Sequence, residues 1–365
     1  MTCGLLELNV GTFPENMYFC IMQDYMNISA FLIGISTAFF TIFALHILFW
    51  RRQRTRFQTV LGCIMAIWAV WNLKDLVVTF PGMYREEVLN WIFIIDAWSA
   101  LTYTVFVFET VMPRWITVGR LLLLSLPFAM FTLLYYIWPV REVIYAFSAF
   151  LWCYAWTIII IGWMKVRRHI RYVRENFSNI EHIDVAWLKP VFLFCIVSQL
   201  SWLITSLYAT VQADIVYYLS TILLWLLVLH YSWDFLPVIT EGEGERHNLE
   251  KKEMSPIAEG ALEKVMDEQR LYLNKNLTLV DLAMALNSNR TYVSNYLSQV
   301  REQTFYDYVN QLRIERVSMP MLREHPEYTL EHVAIESGFA SISTFRRAFI
   351  KLNGMTPGEF KVSEE

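Results

Sequence analysis

Seven apolar stretches before Pro237 constrain this chain more than any other feature. They run over Ile28–Trp50, Gln58–Phe80, Val88–Met112, Ile116–Trp138, Val143–Met164, Val191–Val211 and Ile215–Leu236. Each reaches the roughly 20 residues that a helix needs to cross a bilayer. Lipid leaves backbone polar groups no partner outside the segment itself, so such stretches predict helices. The 365 residues are 56% hydrophobic and 18% charged, with a mean hydropathy of +0.36. Soluble domains usually carry about 25% charged residues, and here the apolar excess is concentrated before Pro237. Met1–Asp24 has no basic n-region, so residues 1–27 read as an extracytoplasmic segment rather than a cleaved signal peptide.

Lys and Arg in the connections predict orientation. The first, third and fifth loops hold eleven, among them Arg51, Arg52, Arg54, Arg56, Arg114, Arg167, Arg168 and Arg171. The N-terminal segment and the even loops hold two, Arg85 and Arg141. This bias places the N-terminus outside and, after seven crossings, the C-terminus in the cytoplasm.

Ionisable groups inside spans are costly and tend to face a bundle interior. Lys74 and Asp96 fall at similar depths, about 9 and 12 Å from the outer ends of their spans at 1.5 Å per residue. An ion pair between them is therefore expected. Asp75, Glu109, Arg120, His46 and His230 also lie in or near spans. Two readings stand side by side: a polar pocket that binds a signal, or pairs that pin helices or snorkel to the interface.

Cys63, Cys153 and Cys195 read as packing residues within spans, while Cys3 and Cys20 face an oxidising exterior where pairing is an option. No metal-type spacing accompanies them, and neither metal nor cofactor is expected. The abundant Trp and Tyr suit interface belts, with Trp50, Trp91, Trp115, Trp138 and Trp233 near span ends. The last span has no lysine for a retinal Schiff base.

After Pro237 the composition changes abruptly. Residues 237–256 (PVITEGEGERHNLEKKEMSP) read as a cytoplasmic tether whose ends lie about 25 Å apart as a flexible coil. An amphipathic helix follows over about 257–273, with Leu262, Val265 and Met266 among its apolar positions. It is expected either to cover the domain after it or to pair with a second protomer.

The stretch Tyr328–Phe360 contains a short helix capped by Thr329, a stop at Gly338, and a second helix from about Ser341 with Phe345, Phe349 and Leu352 on one face. Gly354 ends that helix, and Thr356-Pro357 starts another. Residues 278–299 repeat the pattern found at 329–353. Thr278, Leu279, Leu282 and Ala283 correspond to Thr329, Leu330, Val333 and Ala334. After a one-residue adjustment in the turn, Val293 and Leu297 correspond to Phe345 and Phe349. Two helix-turn-helix units joined by a helix closely resemble the AraC/XylS family of transcription regulators. The resemblance covers about 271–361. It is carried by Gly338-Phe339, Phe345, Arg347, Phe349, Gly354, Thr356-Pro357 and Phe360, with Tyr308 and Leu312-Arg313-Ile314 in the joining helix.

Faces opposite the core positions are candidates for reading DNA: Arg290, Thr291, Ser294 and Asn295 on the first helix, Ser343, Thr344, Arg346 and Arg347 on the second. Arg suits guanine or phosphate, Asn suits adenine, and Ser and Thr suit either bases or phosphates. The resemblance implies adjacent major-groove segments for the two helices. Three features depart from it. Residues 257–365 hold 12 Lys and Arg against 15 Asp and Glu, a net of −3, where DNA binders usually show a basic footprint. Arg301-Glu302-Gln303 stands where the family usually has glycine. Pro320 is expected to interrupt and kink the joining helix.

The chain thus reads as all-α: a seven-transmembrane helix bundle over 28–236, then a soluble double helix-turn-helix domain over 257–365. Its expected partners are double-stranded promoter DNA, the lipid bilayer, a small-molecule or membrane signal, and a second copy as a homodimer. The expected location is a bacterial inner membrane. No kinase, receiver, P-loop or hydrolase signature appears, so no catalytic residue is assigned. Two alternatives stay open: a transporter-class membrane protein with a DNA-binding reporter tail, and a tethered factor released by proteolysis of the linker.

Overall fold

The computed structural model describes residues 15–51, 55–80, 83, 85–196, 211–233, 235–237, 257 and 260–364. Among these the chain is helical, with no strand and one isolated antiparallel bridge. It divides into two units: Met1–Val166 with Val185–Ile239, and Arg167–Asp184 with Thr240–Glu365.

The first unit contains α1 (Glu15–Leu45, continued by a π turn His46–Trp50), α2 (Arg56–Asp75), α3 (Glu86–Ala97), α4 (Ser99–Val111), α5 (Val118–Ile137), α6 (Arg141–Asn176) as far as residue 166, and α7 (Val211–Ser232). Residues 188–196 are also helical. Among the described residues, six helical runs are long and apolar enough to cross a membrane, with α3 and α4 forming one of them across a tightened turn at Trp98. The expected span 191–211 lies outside the described residues from 197 to 210, as does the 238–256 part of the tether. The option of a Cys3–Cys20 pair also falls outside the described side chains.

Local chemistry explains these helices. Thr55 and Gln58 form a reciprocal capping box at the start of α2. Thr104, Thr110, Thr132 and Ser148 return their hydroxyls to carbonyls four residues back, so none is left bare among apolar neighbours. Phe128, Phe131, Phe147 and Phe150 interlock between α5 and α6, with Phe131 and Phe147 stacked at 4.9 Å. The outer face of α5 leaves Leu122, Leu123, Leu126, Met130 and Leu133 exposed, a contiguous apolar surface that lipid would cover.

The second unit contains α8 (Ala261–Gln269), α9 (Leu279–Ala285), α10 (Arg290–Gln299), α11 (Phe305–Arg313), α12 (Met319–Glu324), α13 (Leu330–Glu336), α14 (Ile342–Asn353) and α15 (Pro357–Glu364). Of the two options for the amphipathic helix, α8 follows the covering one. Leu262 and Met266 are buried in a single core with Leu279, Leu282, Val293 and Leu297. It is shorter than expected because Arg270 turns left-handed (φ 46°) and leads into a 3-10 turn, Leu271–Leu273. The second core gathers Val333, Ala334, Phe339, Phe345, Phe349 and Phe360.

Pro320 does not break the joining helix. A π turn over Ile314–Ser318 sits just upstream, Ser318 Oγ donates to Arg313 O at 3.2 Å, and the chain stays helical into α12, with the proline in its first turn. The missing proline donor is accommodated at the π turn, where the backbone bonding steps out of the i−4 pattern.

Residues 167–184 belong to this unit by their contacts, which the sequence does not announce. Phe177 bridges Thr278, and Ser178 N donates to Leu277 O at 3.1 Å. Val173 and Ile180 pack with Tyr306 of α11.

Candidate nucleic-acid interface

Both helix-turn-helix units are built by the same local rules. Thr278 caps α9 through Asp281 N, and Thr329 caps α13 through His332 N. Each turn closes through a bond five residues long, Ser288 N to Ala283 O at 2.9 Å and Phe339 N to Ala334 O at 3.0 Å. The left-handed residue in the turn is Asn287 (φ 54°) in one and Gly338 (φ 84°) in the other. Asn tolerates that conformation better than most side chains. Gly338 has a second reason: a Cβ there would lie 2.7 Å from Leu273 O. The second helix then starts one residue sooner in the first unit, after cap Asn289, than in the other, after cap Ser341. The turn adjustment inferred from the repeat is therefore present in the backbone.

On α10, Val293 and Leu297 are buried, Thr291 and Asn295 are exposed, and Arg290 and Ser294 are half-buried. On α14, Phe345 and Phe349 are buried while Ser343, Arg346 and Arg347 are exposed. Thr344 corrects the expected outward set. It is 2% exposed, because as the third residue of α14 its hydroxyl accepts from cap Ser341 Oγ at 3.2 Å and folds into the first turn. Lys351, one turn beyond Arg347 on α14, is also occupied: its Nζ donates to Asp307 Oδ1 at 2.7 Å and ties α14 to α11. Tyr292 is an exposed aromatic on α10 that the residue-type argument passed over. Its place one turn before Asn295 is the signal that marks it.

Two basic groups of this surface meet the 167–184 segment. The guanidinium of Arg290 lies over the Tyr172 ring, 5.9 Å from its centroid. Burial pushes the Tyr306 hydroxyl above its usual value, and the nearby charges of Arg347 and Arg174 pull it back, so all three share one neighbourhood. Beneath them, Arg313 is 1% exposed and binds Tyr272 O (2.7 Å), Asn274 O (2.9 Å), Asn310 Oδ1 (3.1 Å) and Ser178.

In the first unit the ionisable residues fall into separate places. Lys74 Nζ lies 2.6 Å from Asp96 Oδ1 and also binds Asp75, whose other oxygen accepts from Tyr218 OH at 2.9 Å. Glu109 is not part of that cluster. It is 1% exposed and pairs with Arg56 at 2.9 Å, about 27 Å from Lys74 along α2 at 1.5 Å per residue. Arg120 donates to Trp115 O and covers its ring, His46 stacks on Trp233, and His230 meets Tyr231. The expected polar set is thus one cluster at Lys74 and a scatter of pairs elsewhere. Among the described residues no group of His, Cys, Asp and Glu has the arrangement of a metal site.

No curated protein and no solved structure matches the chain. The family of helix-turn-helix domains matches residues 282–362, under a quarter of the 365 residues. The C-terminal unit therefore carries a helix-turn-helix domain of the AraC type, which supports sequence-specific DNA binding in transcription regulation.

Proposed function

We propose that the chain is a membrane-bound one-component transcription regulator. Its helical bundle senses a signal, and its cytoplasmic double helix-turn-helix domain binds promoter DNA. The observation that carries this reading is the pair of repeated units, each presenting short polar or basic residues opposite a buried face. Thr291, Ser294 and Asn295 serve one reading helix, and Ser343, Arg346 and Arg347 the other. Six apolar helices and the eleven-to-two loop bias support a bilayer location with the C-terminus inside. The 167–184 segment supports control: it is chain from between two expected spans, and it touches Arg290 and Arg313.

The test is a mobility-shift titration of the full chain in lipid nanodiscs against its promoter and base-substituted variants. Arg347→Ala is expected to weaken binding by about 1–3 kcal/mol and relax specificity at one part of the site. Asn295→Ala acts about one helical turn away, ~34 Å along the DNA. Arg346→Ala, nearer the edge of the face, weakens all sequences alike and flattens the salt dependence. Unchanged affinity and selectivity in both Arg347→Ala and Asn295→Ala would remove the double-reading-head function.

A further inference from the structure

The first unit contains a half-open cavity of about 210 Å³ whose lining includes the rings of Trp68, Tyr103, Tyr154, Phe192 and Trp225. Tyr103 and Trp225 are stacked at 5.7 Å, and Trp68 meets both edge-on at 5.6 and 5.9 Å. Asp96 also lines the cavity, with its side chain 46% exposed. A small recess lined by Asp75, Asn72 and Tyr218 shares Asp96, Trp68 and Thr221 with the larger space.

Charge decides what such a space would hold. Two carboxylates, Asp75 and Asp96, share one ammonium, Lys74, so with both ionised the cluster carries one negative charge beyond what Lys74 compensates. Among the described residues, Lys74 is the cation paired with Asp75 and Asp96. The sequence has no Lys, Arg or His from Pro190 to Leu229, and none from Glu86 to Met112. Arg56 is taken by Glu109 and Arg141 by Glu86. An excess carboxylate in an apolar environment is costly. Aromatic faces attract cations through their quadrupoles, more strongly once water is excluded. An anion would meet the same carboxylates as repulsion, and a neutral apolar molecule would leave the charge as it was.

From this we infer that the cavity is the binding site for a small organic ammonium ion with an apolar or aryl body. Its charged end sits between Asp96 and the faces of Trp68, Tyr103 and Trp225, and its body fills the rest of the cavity. The volume is below the roughly 300–1,000 Å³ of sites for drug-sized ligands, so the occupant is compact. This deepens the sensing role proposed above and rests on it only for the consequence of binding, not for binding itself.

Three probes with one skeleton separate the possibilities: phenylpropylammonium, phenylpropanol and phenylpropanoate, titrated by calorimetry into the full chain in zwitterionic phosphatidylcholine nanodiscs. The ammonium is expected to bind saturably, the alcohol about tenfold or more weaker, and the carboxylate not at all. Asp96→Asn should remove the preference for ammonium over alcohol. Because that change also disturbs Lys74, Trp225→Leu provides a second variant, expected to lower ammonium affinity about tenfold with the carboxylate cluster intact. Equal binding of alcohol and ammonium, preference for the carboxylate, or no saturable ammonium binding would each overturn the inference. Saturable ammonium binding that leaves promoter affinity unchanged would count against the sensing role alone.

Discussion

Arg313 offers the sharpest test of how the DNA-binding unit is held together. Its side chain is buried and ties two pieces of chain distant in sequence, the turn at Tyr272–Asn274 and Ser178, to its own helix, where it also binds Asn310. Replacing it by methionine keeps an unbranched apolar stem and removes every bond. The carbonyls of Tyr272 and Asn274, bound at 2.7 and 2.9 Å, would lose their donor, at about 1–3 kcal/mol each. Relief of the buried guanidinium offsets part of this, since removing a charge recovers its desolvation. A net loss of about 2–4 kcal/mol is expected, concentrated where the bonds are. Burial pushes the guanidinium down to about 10, which leaves it a cation at neutral pH. Below that value it is protonated both folded and unfolded, so its contribution is flat between about pH 6 and 8. Only above about 10 does stability rise with pH, as the folded state releases the proton first. The assay is hydrogen exchange on the full chain in nanodiscs. Arg313→Met should raise exchange at Ser178 and around Leu277 together, without change in the apolar helices. Arg313→Lys should recover little, because an ammonium lacks the planar fork that reaches both carbonyls. Wild-type protection at Ser178 in Arg313→Met would refute the argument.

Topology can be checked with a reporter active only in the cytoplasm, which should work when fused after Phe57 and Ile180 and fail after Pro81. Activity at all three sites would reject the orientation. Lys74→Ala should cost about 1–3 kcal/mol of bundle stability, less than a fully buried pair because Asp96 is half exposed. The double swap Lys74→Asp with Asp96→Lys should restore part of it in a thermal melt. Tyr172→Ala frees the guanidinium of Arg290 and should raise promoter affinity a few-fold, about the value of one cation–π contact, while Tyr172→Phe leaves it unchanged. Equal titrations for both Tyr172 variants would show that the stacking does not restrain Arg290.

Much of the second unit was legible because its signals are local. Thr278, Thr329 and Ser341 announce helix starts by residue type, and the periodicity of Val293, Leu297, Phe345 and Phe349 fixes which face is buried. The Lys74–Asp96 pair was legible from depth alone, since a bilayer puts the ends of neighbouring spans in register. What escaped depends on distant chain. Thr344 looks outward by helical angle, and only the cap hydroxyl explains its burial. Lys351 reads as part of a basic face until Asp307 is brought against it. Pro320 reads as a break because the compensating π turn has no residue signature of its own. Val173, Phe177 and Ile180 look like ordinary apolar residues at the end of a helix, and nothing in their spacing names Tyr306 as the partner.

The weak charge of the DNA-binding unit gives these contacts their leverage. With a net of −3 over residues 257–365, general attraction to phosphate supplies little affinity. On the proposed function, binding then rests on a few side chains, chiefly Arg290 and Asn295 on one helix and Arg346 and Arg347 on the other. Each is worth about 1–3 kcal/mol where it reaches a base, or about tenfold to a hundredfold in occupancy. In a strongly basic domain the loss of one contact would be absorbed by the rest of the surface. Here, an arginine engaged by Tyr172 rather than by DNA is a substantial share of the total. On the proposed function, the 167–184 segment would then weigh on promoter occupancy through Arg290 alone, which the Tyr172→Ala titration measures.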